Sequence, residues 1–305
     1  MSCHHSHNHS HAMTPDSLDR AMVIGVSLNL LFVLVELGFG FFSGSLALLA
    51  DAGHNASDVV GLLLAWGASF LARRPPSQKF TFGLRRATIY AAFLNAILLL
   101  AACAVILWEA VCRLSEPAPV AGFTMIAVAA IGVVINTATA ILFIHGSKED
   151  ANVRGAFLHM AADAAVSVGV VLAGVAIMAT GIGWIDPFLS IIIVVVIAWG
   201  TWDLFTESVG LAMDAVPRRI DINKLTETLT AIPGVLEIHD LHVWGMSTSE
   251  VMLTAHLVIA ESNRQGSLKE VESVLHERFA ITHTTLQFED PATSQVCPQQ
   301  ADNRF

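Results

Sequence analysis

Six long apolar runs set the terms for this chain: about residues 20–42, 46–71, 87–112, 120–145, 153–180 and 184–208. A helix needs roughly 20 apolar residues to cross a hydrocarbon core, so each run predicts a membrane span. The breaks between them are short and polar: Ser43-Gly44-Ser45, the 73–86 loop, Ser115–Pro119, Gly146–Asn152 and Gly181-Ile182-Gly183. The first and last leave room only for tight hairpins, so those helix pairs are antiparallel neighbours. Charged residues make up 14% of the chain, against about a quarter in a soluble domain.

Basic residues orient the spans. Arg73, Arg74, Lys79, Arg85 and Arg86 fall between the second and third runs, Lys148 and Arg154 flank the break between the fourth and fifth, and Arg20 precedes the first. The other side carries Arg113 alone. This bias puts the N-terminus, the basic loops and the C-terminal third in the cytosol. Short basic loops suit the inner membrane of a bacterium. The opening residues, MSCHHSHNHSHAMTPD, lack the apolar stretch of a cleaved signal peptide. Cys3, Cys103, Cys112 and Cys297 do not form a disulfide framework; Cys103 and Cys112 lie in apolar runs and read as packing residues.

From about residue 211 the pattern becomes that of a soluble domain. Ile220–Ile232 reads as an amphipathic helix stopped by Pro233-Gly234, and Val235–Gly245 and Glu250–Ala260 alternate as strands do. Ser267–Phe279 is helical, with Ser267 and Glu270 spaced as a capping box. Thr282–Phe288 is a third strand. The expected fold is an α-helical membrane protein: six transmembrane helices, then a small cytosolic α+β domain of ferredoxin-like order, α-β-β-α-β. The expected boundaries are a His-rich cytosolic tail at 1–17, a membrane domain at 18–210, the small domain at 211–290 and a flexible tail at 291–305. The 211–290 segment holds 6 Lys/Arg against 12 Asp/Glu, a net charge of −6. That argues against a nucleic-acid partner and for a cation.

Charged side chains inside membrane helices are costly and mark function. The second run contains His54-Asn-Ala-Ser-Asp58 and the fifth contains His159-Met-Ala-Ala-Asp163. Residues four apart share one helix face, about 6 Å along the axis. Each helix thus presents one imidazole and one carboxylate on the same side. Two such helices supply four N/O ligands, the number Zn²⁺ takes in a tetrahedral site. Two carboxylates also balance a divalent ion, and without it they raise each other's proton affinity. Imidazoles take protons near neutral pH, and metal binding displaces them. A site that alternates between metal and protons is the chemistry of an antiporter. For any one such residue the alternative is a bond to another helix. Asp51 reads as a carboxylate of the entry path or of the membrane interface, and Glu36, Asn95 and Asn136 as cavity-lining groups or hydrogen-bonding links between helices.

Several longer motifs stand in order: SLALLADAGHNASDVVGL, RPPSQKFTFGLRRATIYAAFLNA, GAFLHMAADAAVSVGVVLAG, MDAVP, IPGVLEIHDLHVWGM and ITHTTLQFED. Over nearly its whole length the chain resembles the cation diffusion facilitator family. The resemblance implies a proton-coupled metal exporter, embedded in the bilayer, that works as a homodimer through its cytosolic ferredoxin-like domain. It implies a transport site on His54, Asp58, His159 and Asp163, of the zinc type, with Cd²⁺ or Co²⁺ as further ions. It implies a regulatory metal site on His239, His256 and Glu289, with Gln287 where some members have His. His242, His276 and His283 are further ligand options; the alternative is a set of surface histidines, with His242 packing beside Trp244. The family's second loop site is not expected, because Ser77–Leu84 has Ser, Phe and Leu where its ligands would stand. Thr88 stands where many members have Glu. Arg86 and Asp214 match a charge contact that links the two domains in some relatives.

The tract of His4, His5, His7, His9 and His11, with Cys3, has the composition of a weak, flexible metal collector, and its Ser and Asn interruptions argue against a purification tag; Cys297 reads as an idle thiol or as a partner of Cys3 on a soft ion. No cofactor other than Zn²⁺ as transported and regulatory ion is expected. An enzyme is not expected: an intramembrane zinc hydrolase needs an open coordination position, and the helical H-E-x-x-H signature is absent. The alternative function is a membrane-bound metal sensor that signals through the cytosolic domain without transport.

Overall fold

A computed structural model describes residues 30–116, 119–143, 151–260 and 264–291; the side chains of residues 62, 142–143, 151–159 and 264–267 lie outside that description. The helices of the apolar part are α1 (Leu30–Ser43), α2 (Leu46–Ala72), α3 (Ala87–Ser115), α4 (Gly122–Phe143), α5 (Ala151–Thr180) and α6 (Ile185–Ala212). Five of them, α2 to α6, are long and apolar enough to cross a membrane. The first expected span is described only from Leu30 onward, and the His-rich tract and Cys297 fall outside the described residues. The chain forms two compact units, one made of the part up to Val60 with Ala101–Ile197, the other of Gly61–Leu100 with the part from Ala198 onward.

In the first unit, the turn between α1 and α2 is tied down by three separate segments. Gly44 takes φ +71°, a left-handed conformation that suits glycine. Ser45 then caps α2, its Oγ accepting from the Leu48 N–H at 3.1 Å. The same hydroxyl donates to Asp186 Oδ1 at 2.5 Å, and the Leu46 and Ala47 N–H groups donate to the Asp186 carboxylate at 2.7 and 3.3 Å. Asp186 sits in the first turn of α6 and is fully buried. Arg113, which also pairs with Glu109 at 2.9 Å, donates to the Gly44 carbonyl at 2.6 Å. The Ala121 N–H donates to the Ser43 carbonyl at 2.9 Å. Elsewhere α4 and α5 approach closely through glycine: a Cβ on Gly174 would stand 2.6 Å from Ile126, and one on Gly122 would stand 2.8 Å from Met178. Small residues let membrane helices pack backbone to backbone.

The second unit contains the soluble domain. Asp221 caps α7 (Ile222–Thr230), its carboxylate accepting from the Asn223 and Lys224 N–H groups at 3.0 and 3.2 Å. The helix is therefore shorter than the expected Ile220–Ile232, because the cap lies inside that range. Strands β1 (Val235–Gly245), β2 (Val251–Ile259) and β3 (His283–Glu289) form one sheet in the order β1-β2-β3, with α8 (Arg264–Phe279) between β2 and β3. β1 and β2 are antiparallel; β2 and β3 are parallel, which requires the α8 crossover. The helix begins before Ser267, so Ser267 is not its cap. Leu225 and Leu229 of α7 and Val271 and Leu275 of α8 pack with Val243, Leu253, Leu257 and Ile259 of the sheet.

In the same unit, the loop leading into α3 meets the β1–β2 hairpin. Arg85 pairs with Glu250 at 2.7 Å, Arg86 pairs with Asp214, and Thr88 Oγ1 accepts from the Thr248 N–H at 3.2 Å. Thr88 thus has a backbone partner. Exposed ion pairs contribute little singly, so these contacts align more than they stabilise.

Asp186→Ala leaves the Ser45 hydroxyl and two helix N–H groups without their acceptor. We expect a loss on the order of 3 kcal/mol, read as a lower thermal midpoint in detergent, with Asp186→Asn falling between it and the wild type. Equal midpoints for all three proteins would remove the cap from the account.

Candidate metal centres

Each centre is assembled from residues that sequence spacing or pairing brings onto one face. On α2, His54 and Asp58 are four apart, and His54 Nε2 lies 3.8 Å from Asp58 Oδ2. The same nitrogen lies 3.3 Å from Asp163 Oδ1 on α5. Asp163 is 2% exposed and His54 is partly buried. Ligand atoms about 2.1 Å from a tetrahedral ion stand about 3.4 Å apart, so this spacing suits a metal. One ligand atom from each of His54, Asp58 and Asp163 lies within 4.8 Å of the others. The side chain of His159 lies outside the described residues; its backbone is helical, one turn before Asp163 in α5.

A second contact fixes how the two helices run. Ser167 Oγ donates to Asp51 Oδ2 at 3.1 Å. Going up α2 from Asp51 to His54 means going down α5 from Ser167 to Asp163, so α2 and α5 are antiparallel here. One further turn along each helix brings Asp58 level with position 159. Asp51 is fully buried against α5 rather than open at the protein surface. Asn55 Nδ2 donates to Glu36 Oε2 of α1 at 3.1 Å, the interhelical link expected of Glu36. The Asn136 amide nitrogen is buried and has no hydrogen-bond partner among the described residues, so a linking role for Asn136 is not seen. The Asn95 amide faces Gly61, where a Cβ would stand 2.7 Å from Nδ2. Cys103 is buried as expected, whereas Cys112 is exposed and does not pack in the chain's interior.

The other centre lies on the sheet. Leu253, Ala255 and Leu257 of β2 belong to the core against the helices. Strand alternation turns His256 to the opposite face. His239 of β1 is its direct cross-strand partner, and the two rings sit 5.2 Å apart, edge to face. Glu289 ends β3, with Oε1 at 2.9 Å from His256 Nδ1 and Oε2 at 3.3 Å from His239 Nε2. Both His239 nitrogens and Glu289 Oε2 are buried without a hydrogen-bond partner among the described residues. The 3.3 Å approach is thus close in distance but misaligned for a hydrogen bond. Buried polar atoms of this kind call for a partner. Two imidazoles and a carboxylate at ligand spacing fit a divalent ion of the zinc type.

The remaining candidates lie outside this triplet. Gln287 Nε2 donates to Glu289 Oε1 at 2.9 Å, holding the carboxylate from beside it. His242 is bonded to Asp240 at 3.0 Å. His283 stacks edge-on against Phe82 with ring centres 5.8 Å apart, and His276 sits in the last turn of α8. Sequence reasoning missed Asp186, Ser167 and Asp240. Asp186 and Ser167 have partners 140 and 116 residues away, and the His256 ring that Asp240 faces is 16 residues from it; no local spacing rule reaches across such gaps.

The cation efflux transmembrane domain matches residues 22–211, and the cation efflux protein cytoplasmic domain matches 217–291. The chain belongs to the cation efflux family. As a family member it is a multi-pass membrane protein of transporter type. It is 38% identical over 288 residues to the zinc transporter ZitB of Escherichia coli, covering 93% of this chain and 92% of that protein. It is 35% identical over 291 residues to the metal cation efflux system protein CzcD of Cupriavidus metallidurans, covering 95% and 90%. It is 33% identical over 292 residues to the cadmium, cobalt and zinc/H(+)-K(+) antiporter of Bacillus subtilis, covering 94% and 92%. The solved metal-bound C-terminal domain of the CzcD transporter is 35% identical, covering 23% of this chain and 99% of that one. The TM-score there is 0.22.

Replacing Glu289 with Gln in the full chain keeps the shape of the sheet centre and removes its negative charge. We expect zinc affinity at that centre to fall at least tenfold, measured in detergent against a chelating dye in an Asp58→Asn/Asp163→Asn background. Unchanged affinity would mean that this carboxylate does not ligate.

Proposed function

We propose that this family member exports Zn²⁺ from the cytosol in exchange for protons, with His54, Asp58, His159 and Asp163 as the transport ligands. One observation carries the reading: the His54 imidazole stands between a carboxylate of its own helix and a buried carboxylate of α5. The antiparallel register adds position 159 at the level of Asp58. Two imidazoles and two carboxylates suit zinc, and a four-carboxylate cage would suit the harder Mn²⁺. Cd²⁺ and Co²⁺ are further candidate ions, and the relatives named for zinc, cadmium and cobalt support that range.

Loaded with a divalent ion, the two carboxylates are neutralised. Emptied, they and the imidazoles take up protons, so ion and protons compete for the same atoms. Helices that rock about the site expose it to each side in turn. His239, His256 and Glu289 hold a regulatory Zn²⁺, and ions there offset the acidity of the domain and tighten a homodimer. The tract His4, His5, His7, His9 and His11 gathers ions on the cytosolic side, where the basic loops place both termini. The membrane domain spans 18–210 and the cytosolic domain 211–290.

The test is zinc flux into proteoliposomes under an imposed pH gradient. Wild-type flux should follow the gradient, and Asp163→Ala should reduce it to the level of empty vesicles. Flux indifferent to the gradient would end the antiport reading. Absence of flux in the wild type, with zinc still bound at the sheet centre, would favour the sensor alternative.

A further inference from the structure

β1 carries one residue more than β2 across the metal centre. His239 is opposite His256 and His242 is opposite Thr254, so three steps on β1 match two on β2. The extra residue is taken up at Asp240, whose φ of +50° is left-handed. In a regular strand the side chain after His239 would turn to the other face. A bulge re-aims it, and Asp240 stands on the same face as the ligands, its Oδ2 3.7 Å from His256 Nε2. Its Oδ1 is 3.0 Å from His242 Nε2. The His256 ring therefore has a carboxylate at each nitrogen: Glu289 at Nδ1 and Asp240 at Nε2.

We infer that Asp240 is a positioning residue for the sheet metal centre, the carboxylate that orients the His256 ring so that Nδ1 faces the ion. The inference rests on the reading of His239, His256 and Glu289 as metal ligands. Histidine ligands commonly donate their second ring N–H to a carboxylate, which fixes tautomer and ring orientation. The Nδ1 atom faces Glu289 and through it His239, so it is the ligating nitrogen. Nε2 then carries the proton, and the acceptor in front of it is Asp240. At 3.7 Å the pair is longer than a hydrogen bond, and a small turn of the ring as Nδ1 engages an ion closes it. His242 holds the same carboxylate from the solvent side, leaving Oδ2 for His256. Asp240 is 16% exposed and His242 50% exposed, which suits an outer support rather than a buried ligand.

A competing explanation is that aspartate stands here only because it tolerates the left-handed conformation. Glycine tolerates that conformation better, so Asp240→Gly separates the two. Zinc affinity is measured on the full chain in detergent by competition with a chelating dye. The sheet centre is defined as the component lost in His239→Ala. We expect Asp240→Gly to weaken that component about 10- to 100-fold. Asp240→Asn, which keeps an acceptor and the backbone preference, should fall between Gly and wild type. At saturating Co²⁺, the d–d absorption bands of Asp240→Gly should keep their wild-type positions, since the ligand set is unchanged. Wild-type affinity in Asp240→Gly would overturn the inference and leave a backbone role. Shifted Co²⁺ bands would overturn it too, by making Asp240 a direct ligand. If His239→Ala removes no zinc binding, the metal-site reading fails before Asp240 comes into question.

Discussion

A buried carboxylate must be held by donors, and Asp186 finds its donors at the start of another helix. The N-terminus of α2 offers unpaired N–H groups and the positive end of the helix dipole, and Asp186 of α6 takes two of those groups together with the Ser45 hydroxyl. This sets where α2 begins. His54 and Asp58 lie about two and three turns further along the same helix, so their height follows from that starting point. Arg113 and Ala121 fasten the adjoining turn. The part of α2 that carries the proposed ligands is therefore placed by contacts well away from them.

Both candidate metal centres use the same device on different backbones. In α2 and α5 the proposed ligands are four residues apart, and antiparallel packing brings the two pairs level. In the sheet, cross-strand pairing sets His239 beside His256, and the parallel third strand adds Glu289 at its end. In each case the secondary structure supplies the spacing and a neighbouring element supplies the remaining charge. Spacing of this kind is rigid at short range. Changes in geometry then come from motion of whole elements more readily than from individual side chains.

What the sequence discloses follows the range of the interaction involved. Helix and strand periodicity showed α2 to α6, the strand limits of β1 and the α-β-β-α-β order, because these depend on neighbours a few residues apart. The two H-x-x-x-D pairs were legible for the same reason. His239, His256 and Glu289 were reached through resemblance to a family, since nothing local joins them. The contact of Asp51 was not legible: its place near a run's beginning left an entry-path or interfacial role open, while its partner Ser167 stands 116 residues away. The end of α7 was displaced because Asp221, the cap, competes with the hydrophobic period that Ile220 appeared to begin. Asp240 had no signal at all, since a bulge leaves strand composition unchanged.

That bulge has a bearing on how such a centre is inherited. Beyond the extra residue the faces are restored: His242 is opposite Thr254 and Val243 is opposite Leu253. A β1 shorter by one residue at 240–241 keeps those pairs and the apolar core beneath them. Point substitution cannot set adjacent side chains on one face of a regular strand; a change of length can. The proposed ligands of this domain are thus open to gain and loss by replacement, whereas the support behind His256, which a substitution can remove, is first gained only through a single-codon insertion that leaves the fold as it was.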